Sequence, residues 1–435
     1  MKKTTAGRLR GAHRTRPLVA GALALATIVA LSGCGFVNTG GGDGGEDGAI
    51  TTYTSPEQNT GLEALYAAFE EESGTAVDAS FAAAEELNQQ LRVQLTSGTA
   101  ADLIRVSPGF SSPVSAGVLG TEGELADLGD AEWAERLDDG TRVLAEADGT
   151  LVAYPVGRNS IVMAYNLEVF DELGLEPPTT WTELIDVCDA LQAAGKTPIA
   201  AGLTGGIYLQ FFVYALAGTL VYGPQSDIDE QMRAGETGFA EESAWQEVFD
   251  KLLQISEYFT PDSLGVPADQ AQQALARGDA GMTMLVSAGL PQLYDYADAG
   301  QDAFGVFAMP ASDDAAATLL PTAPDFVAVN ASSPRVEQTK DLLEFLAQPE
   351  NVEAYASALG VLPGISEGAE IESSPLDPVL PLVDEGRTAP YANYLWPNGD
   401  TQQTLLQSGQ QLLAGEIDVP TLLGLLDEQY QKGQG

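Results

Sequence analysis

Along the chain, short runs of β-branched and apolar residues alternate with longer segments whose apolar residues recur every three or four positions. The first series predicts strands at 49–53, 77–81 and 102–106, with helices at 61–72 and 85–96 between them. Strands and helices that alternate at this spacing form parallel sheets through right-handed crossovers. The pattern therefore predicts an α/β fold whose ligand lies beyond the carboxyl ends of the strands, beside loops 54–60, 82–86 and 107–113.

The rest of the chain continues the alternation. The pattern predicts helices at 182–194, 207–217, 240–258, 268–277, 334–358 and 401–430, and strands at 281–286, 304–309 and 325–330. Residues 151–166 form two extended segments that meet at Gly157. The proline and glycine within this long extended run are more typical of a crossing between lobes than of a central strand. Because about 400 residues exceed the size of a single core, we expect two α/β lobes.

The N-terminal segment has the order of a secretory signal. Six basic residues precede residue 17, an uncharged run covers 17–33, and Leu31-Ser32-Gly33-Cys34 follows. This ending resembles a bacterial lipobox, which implies lipidation of Cys34 and durable anchoring by two acyl chains. An ordinary cleaved signal or a membrane-spanning anchor is the alternative. Residues 34–48, rich in glycine, are then a flexible tether.

Charge and composition exclude several classes of function. Beyond residue 16 the chain carries 63 acidic and 13 basic residues, so a nucleic acid partner is not expected. The only histidine, His13, lies in the signal segment, which excludes a Ser-His-Asp triad and an imidazole metal site from the remaining chain. Cys188 sits at helical spacing among apolar neighbours and is expected to be a buried, inert thiol. We predict no metal, no cofactor and no catalytic residue.

Several short motifs follow one another in a family-specific order. They include Gly61-Leu62-Glu63-Ala64-Leu65, Ala101-Asp102-Leu103-Ile104, Tyr154-Pro155-Val156, Pro177-Pro178-Thr179-Thr180-Trp181, Gly278-Asp279-Ala280-Gly281-Met282, Gly305-Val306-Phe307-Ala308-Met309-Pro310 and Phe326-Val327-Ala328-Val329-Asn330. In this order the chain resembles the carbohydrate branch of bacterial extracellular solute-binding proteins, the lipid-anchored receptors of ABC importers that include the maltose-binding proteins. The resemblance implies a two-lobe periplasmic-binding-protein (Venus flytrap) fold, each lobe a mostly parallel sheet flanked by helices, with a multi-segment hinge.

The resemblance also implies a domain organisation and partners. We expect a signal peptide at 1–33, the lipidated cysteine and tether at 34–48, lobe I at 49–156 and 328–375, and lobe II at 157–327 and 376–435. The expected partners are a sugar and the subunits of an ABC permease with its ATPase. The expected state is a monomer, held at the extracytoplasmic face of the cell membrane through its lipid.

Candidate ligand-binding residues come from loops that end strands and from the hinge. A ligand that closes two lobes needs contacts from both, and sugars offer C–H faces to aromatic rings and hydroxyls to polar groups. Matches to family positions give the candidates Ser55, Glu57, Gln58, Glu85, Ser107, Asn159, Tyr208, Phe211 and Trp396. Arg158 and Asp325 are added because they lie beside predicted crossings, and Ser287 is added as a further hydroxyl partner.

Each nomination has a structural alternative. Trp396 is expected to stack on a sugar ring, and the alternative is an ordinary, partly buried indole. Tyr208 and Phe211 are expected to contact the ligand, and the alternative is that both belong to an apolar stripe in the core. Arg158 could form a salt bridge that closes the hinge. Residues 287–290, Ser-Ala-Gly-Leu, replace a Gly-Trp of many relatives, which predicts a smaller or differently shaped ligand.

The predicted function is a non-enzymatic receptor for a mono- or oligosaccharide. A lipid-anchored glycosidase with two carboxylates needs no histidine and is the principal alternative. A surface sensor on the same fold is the third, because a fold does not fix its use.

Overall fold

The computed structural model describes residues 48–82, 84–223, 226–365 and 374–433, without the side chains of residues 57, 84 and 85. The predicted signal peptide, Cys34 and the tether up to residue 47 lie outside the described residues. No helix in the described ranges combines the length and apolar character that a bilayer crossing requires.

Strands and helices alternate along most of the chain. The strands are β1 (Ile50–Thr54), β2 (Val77–Phe81), β3 (Leu103–Val106), β4 (Glu146–Ala147), β5 (Thr150–Leu151), β6 (Tyr154–Asn166), β7 (Thr197–Ala200), β8 (Ala280–Val286), β9 (Phe304–Phe307), β10 (Leu320–Val329), β11 (Leu362–Pro363) and β12 (Thr388–Pro390). The helices of the first half are α1 (Pro56–Ser73), α2 (Ala84–Ser97), α3 (Ala116–Thr121), α4 (Asp139–Ala145), α5 (Leu167–Leu173), α6 (Trp181–Ala193), α7 (Leu209–Leu220) and α8 (Ile228–Arg233). Those of the second half are α9 (Ser243–Ser256), α10 (Ala268–Ala276), α11 (Leu290–Tyr294), α12 (Val336–Leu346), α13 (Pro349–Leu359), α14 (Leu380–Asp384), α15 (Ala392–Leu395), α16 (Gly399–Leu413) and α17 (Val419–Gly433).

Local capping explains where the predicted helix ends were wrong. Helix α1 begins at Pro56, five residues before the predicted start, because Ser55 and Gln58 form a capping box and proline is favoured in the first turn. The predicted helix 334–358 is two helices, since Pro349 begins α13. The predicted helix 401–430 is also two helices, and Gly415 in the left-handed region (φ 71°) separates them.

Within the described residues, ten strands form one continuous sheet in the order β2-β1-β3-β10-β6-β8-β7, with β9 and β11 paired to β6 and β12 paired to β10. Strand β1 is parallel to β2 and β3, and β7 is parallel to β8. The long strands β6 and β10 run antiparallel to each other and to their outer neighbours β3 and β8. They join the two parallel parts, and we call them the crossing strands.

Separate hydrophobic cores flank the two ends of this sheet. The lobe I core contains Ile50, Leu103, Val156 and Phe326, and the main lobe II core contains Met163, Ala323 and Trp396. A further cluster of lobe II, around Leu285 and Leu320, lies apart from that main core. The fold is therefore the predicted two-lobe α/β architecture.

Along β10 the cores change over between Ala323 and Phe326, shortly before the predicted lobe boundary at 327/328. The exact division into lobes stays a prediction.

Candidate functional site

The register of the crossing strands shows which edges of the two lobes face each other. Phe326 of β10 pairs with Val106, the last residue of β3, so the preceding residues of β10 lie beyond the carboxyl end of β3 and lead into lobe II. Ile161 of β6 pairs with Val286, the last residue of β8, so the preceding residues of β6 lie beyond the carboxyl end of β8 and lead into lobe I. The carboxyl ends of the parallel strands in both lobes therefore face the crossing. We call the region between them the cleft.

Lobe I presents two exposed aromatic rings at this edge. Phe81, the last residue of β2, is 55% exposed, and Phe110, four residues beyond β3, is 45% exposed. Exposing large apolar side chains to water is unfavourable, so such rings at a strand edge mark a contact surface. The loops 82–86 and 107–113 were predicted to lie beside the ligand, but neither phenylalanine was among the candidate residues. The signal that could have found them is an aromatic residue at or just beyond a predicted strand end.

Lobe II contributes the segment that follows β7. Ile207 is 44% exposed, and the half-buried ring of Tyr208 meets the ring of Phe211 edge-on at 5.4 Å between centroids. Phe211 itself is buried in the lobe II core. Of the two aromatic candidates here, Tyr208 has a surface open to a ligand, whereas Phe211 supports its ring from behind.

Ser55 and Gln58 are buried, and helix capping occupies their polar groups. The Ser55 hydroxyl accepts the Gln58 N–H at 3.2 Å, and the Gln58 amide donates to the carbonyl of Phe326 at 3.3 Å. They fix the start of α1 and tie it to a crossing strand, so we do not assign them a direct ligand contact. Glu57 and Glu85 lie in α1 and α2, and their side chains are outside the described part of the structure. Their roles stay predictions.

Arg158 forms a salt bridge, which was the structural alternative to ligand binding. Its side chain is 3% exposed, and it donates to the Pro363 carbonyl at 2.9 Å and to Asp138 Oδ2 at 3.0 Å. Burial lowers the pKa of Arg158, and the Asp138 carboxylate opposes that shift. The guanidinium thus holds the predicted hinge to the N-terminus of α4, and this burial does not support Arg158 as a ligand-binding residue.

Asn159, Ser287 and Ser107 lie at the cleft in different settings. The Ser287 hydroxyl is buried, accepts the Ser160 N–H at 3.1 Å and lies 3.5 Å from Asn159 Oδ1. Asn159 is partly exposed. Ser107 is partly exposed, and its backbone pairs with Val114 and Ala116. Asn159 and Ser107 therefore keep polar groups accessible, whereas Ser287 positions the asparagine.

A charged pair lies where β10 leaves lobe I. Arg105 Nε lies 3.7 Å from Asp325 Oδ1, and each side chain is about one-fifth exposed. The pKa of the Tyr355 phenol in α13 is raised, mainly by burial and next by the negative charge of Asp325. Tyr355 therefore lies close to this charged pair. Asp325 was predicted to be a hydroxyl partner, but Arg105 was missed. The signal for Arg105 was a cation inside the apolar strand 102–106.

Trp396 does not stand in the cleft. The indole is 1% exposed, and its Nε1 donates to the Tyr222 hydroxyl at 3.0 Å. The rings of Tyr214, Phe239 and Trp245 surround it with centroid distances of 5.7–6.4 Å. Stacking on a sugar requires a free face, and this aromatic cluster covers the ring, so the prediction of a stacking platform is replaced by a packing role.

Comparison with protein-family models gives a match over residues 64–379 to the family described as bacterial extracellular solute-binding protein. This match covers most of the chain and includes both crossing strands. The chain belongs to this family.

Curated relatives of this solute-binding protein include proteins named for the small molecules that they bind. It is 23% identical over 248 residues to the melibiose/raffinose/stachyose-binding protein MelE of Bacillus subtilis (strain 168), and the aligned region covers 55% of this chain and 57% of MelE. It is 28% identical over 228 residues to the sn-glycerol-3-phosphate-binding periplasmic protein UgpB of Escherichia coli (strain K12), covering 49% of each. The matches thus span about half the length of these relatives.

Solved structures share the fold over nearly the whole body of the solute-binding protein. The apo-form of RafE from Streptococcus pneumoniae aligns with a TM-score of 0.74 at 19% identity, covering 90% of this chain and 100% of RafE. RafE in complex with raffinose aligns with a TM-score of 0.71 at 20% identity, covering 89% and 100%. These likenesses establish the two-lobe fold.

Proposed function

We propose that this solute-binding protein is the lipid-anchored receptor of an ABC importer and that it captures a sugar between its lobes and hands it unaltered to a permease. Family membership gives the solute-binding role and an extracellular setting. The sugar is supported by relatives and structural neighbours that are named for or solved with melibiose, raffinose or stachyose.

The exposed rings of Phe81 and Phe110 at the carboxyl edge of lobe I are the observation that carries the proposal. The C–H face of a sugar ring packs on an aromatic face, and its burial removes apolar surface of both partners from water. Tyr208 lies in the segment after β7, at the carboxyl end of the parallel pair of lobe II. A ligand that touches both sides stabilises the closed arrangement by contacts that an open arrangement lacks.

Polar groups around these rings can bind hydroxyls. We propose Ser107 and Asn159 as direct partners, because both are partly exposed at the cleft and offer donors and acceptors. The Arg105–Asp325 pair can bind two hydroxyls at once, since the carboxylate accepts and the guanidinium donates. Both charges are already partnered, which suits a neutral ligand better than an anion.

A glycosidase is the weaker interpretation of the same cleft. It needs two carboxyl groups placed on either side of a glycosidic bond, about 5–9.5 Å apart. Asp325 at the crossing is already paired with Arg105, so its carboxylate is not free to act as a nucleophile. The lipid anchor at Cys34, the tether, the lobe boundaries and the monomeric state complete the proposal as predicted from the sequence.

Calorimetric titration of the delipidated protein with melibiose, raffinose, maltose and their monosaccharides tests this function. We expect saturable binding of at least one sugar, a smaller radius of gyration in X-ray scattering when that sugar is bound, and no new product by chromatography. Sugar cleavage would favour the glycosidase. Absence of binding across the panel, with identical scattering in all samples, would contradict a sugar receptor.

A further inference from the structure

Behind Tyr208, lobe II contains a small cavity between strands β7 and β8 and helix α10. Its walls are mostly apolar and include Ala201, Leu203, Phe212, Ala271 and Met284. The free space is about 10 Å³, which is room for one water-sized group. Gly202 closes one side tightly, since a Cβ at this position would lie 2.6 Å from the Pro267 carbonyl.

One polar group in this cavity has no partner. Gln272 of α10 lines the cavity and is 2% exposed, and its Oε1 accepts no hydrogen bond. Thr283, the neighbouring hydroxyl in the wall, donates to the Ala200 carbonyl at 2.7 Å. A buried amide oxygen without a donor is unfavourable, so the cavity is complementary to a group that carries an O–H.

The cavity lies at the edge of lobe II that faces the cleft. Leu203 and Tyr208 belong to the segment after β7, and Ala268 is the first residue of α10. All three are therefore at the carboxyl end of the parallel pair β7 and β8. Tyr208 is itself part of the cavity wall and is partly exposed, so a ligand held against its ring lies next to the cavity.

We infer that this cavity is a subsite for the primary hydroxyl of a hexose unit, with Gln272 Oε1 as the acceptor; this rests on the proposed sugar-binding function. The space excludes a pyranose ring, whereas a hydroxymethyl arm projects one hydroxyl beyond the ring. Only the hydroxyl enters the cavity, while the methylene carbon stays at its apolar rim beside Tyr208, which borders the sugar ring. The subsite makes the protein selective for hexosyl over pentosyl and 6-deoxy sugars.

Matched sugars test the inference on the unaltered protein. D-galactose is compared with D-fucose, its 6-deoxy form, and D-glucose with 6-deoxy-D-glucose and D-xylose, by calorimetric titration alongside melibiose. We expect the sugars that lack the primary hydroxyl to bind roughly 5- to 100-fold more weakly, the range for a buried polar group that loses its partner. Equal affinities within each set would overturn the subsite while leaving a sugar receptor intact.

Variants locate the effect. Gln272→Met keeps the length of the side chain but removes the acceptor, and Ala271→Val fills the cavity without changing the glutamine. Both should bind the parent and deoxy sugars alike, whereas Gln273→Met, a neighbouring half-buried glutamine, should discriminate as wild type does. Discrimination that persists in both cavity variants would mean that the cavity holds water only. If wild type binds no sugar at all, the proposed function itself fails and the subsite with it.

Discussion

Two groups of aromatic side chains, at Trp396 in lobe II and at Phe81 and Phe110 in lobe I, look alike in the sequence and differ in the fold. Each of these three aromatic residues ends or follows a strand or helix, and each lies in or next to a segment without helical periodicity. Trp396 is enclosed by other rings, whereas the two phenylalanines are about half exposed at strand ends. The difference teaches that the position of a ring relative to the carboxyl ends of parallel strands, and not its place in a loop, indicates whether the ring is exposed at the proposed ligand surface.

The largest expected effect is that of Trp396→Ala on stability. Removing a buried indole should lower the free energy of unfolding by about 3–5 kcal/mol, because a cavity remains among Tyr214, Phe239 and Trp245. Chemical denaturation measures this loss, and Tyr222→Phe, which removes only the hydrogen bond to Nε1, should cost about 1 kcal/mol. A Trp396→Ala protein of wild-type stability that fails to bind sugar would restore the stacking role and break the comparison.

The second test concerns Tyr355, a buried ring at the crossing. A Cβ at Gly157 would lie 2.8 Å from its Cε1, so Gly157→Ala must displace the ring or the crossing strand. We expect a loss of about 1–3 kcal/mol in denaturation experiments. Gly265→Ala is the matched control, because its added Cβ meets no atom within 4 Å. Equal stability of the two variants would show that the crossing is loosely packed.

The third test concerns the exposed phenylalanine rings of lobe I. Phe110→Ala should weaken sugar binding about tenfold by calorimetry, through loss of ring contact with the ligand, and leave stability within about 0.5 kcal/mol of wild type. Leu173→Ala removes another exposed apolar side chain, just before Gly174 ends α5, and should change neither quantity. Unchanged affinity in Phe110→Ala would remove the ring from the ligand surface.

The smallest effect concerns Cys188, which shares a core with Trp396. Burial raises the pKa of its thiol to about 12, so in a Cys34→Ser background a thiol reagent should not label the folded protein at pH 8. The neutral thiol stabilises the fold fully below its ordinary pKa near 9, and this contribution disappears as the pH rises toward 12. The melting temperature of wild type should therefore fall more steeply between pH 9 and 11 than that of Cys188→Ala. Fast labelling at pH 8 would show that the lobe II core opens readily.

Much of the fold could be predicted because local patterns determined it. The strands at 49–53, 77–81 and 102–106 follow from periodicity. Residues 151–166 were predicted to cross between lobes and not to form a central strand, but they contain β6, which lies inside the sheet between β10 and β8. Two long helices were wrongly joined, since the breaks at Pro349 and Gly415 depend on residues that periodicity alone overlooks.

The candidate site was less predictable, because exposure is decided by residues far apart in the chain. Arg158 is buried by its contacts with Asp138 and Pro363, and no spacing reveals the distant carbonyl. Ser55 and Gln58 form a capping box that the sequence motif itself contains, so their structural role was available to a more careful interpretation. The buried thiol of Cys188 was predicted correctly from its apolar helical neighbours.

The crossing strands have a mechanical consequence. Residues 322–327 of β10 and 154–160 of β6 are hydrogen-bonded to each other along the stretch that joins the lobes, so the two cores share one ladder. If one core unfolds, the crossing strands lose their order, and the other core loses strands that it packs against. Although it has separate hydrophobic cores, the protein should therefore unfold in one cooperative step. Any hinge motion must twist a pair of hydrogen-bonded strands, because the lobes are not joined there by unpaired linkers.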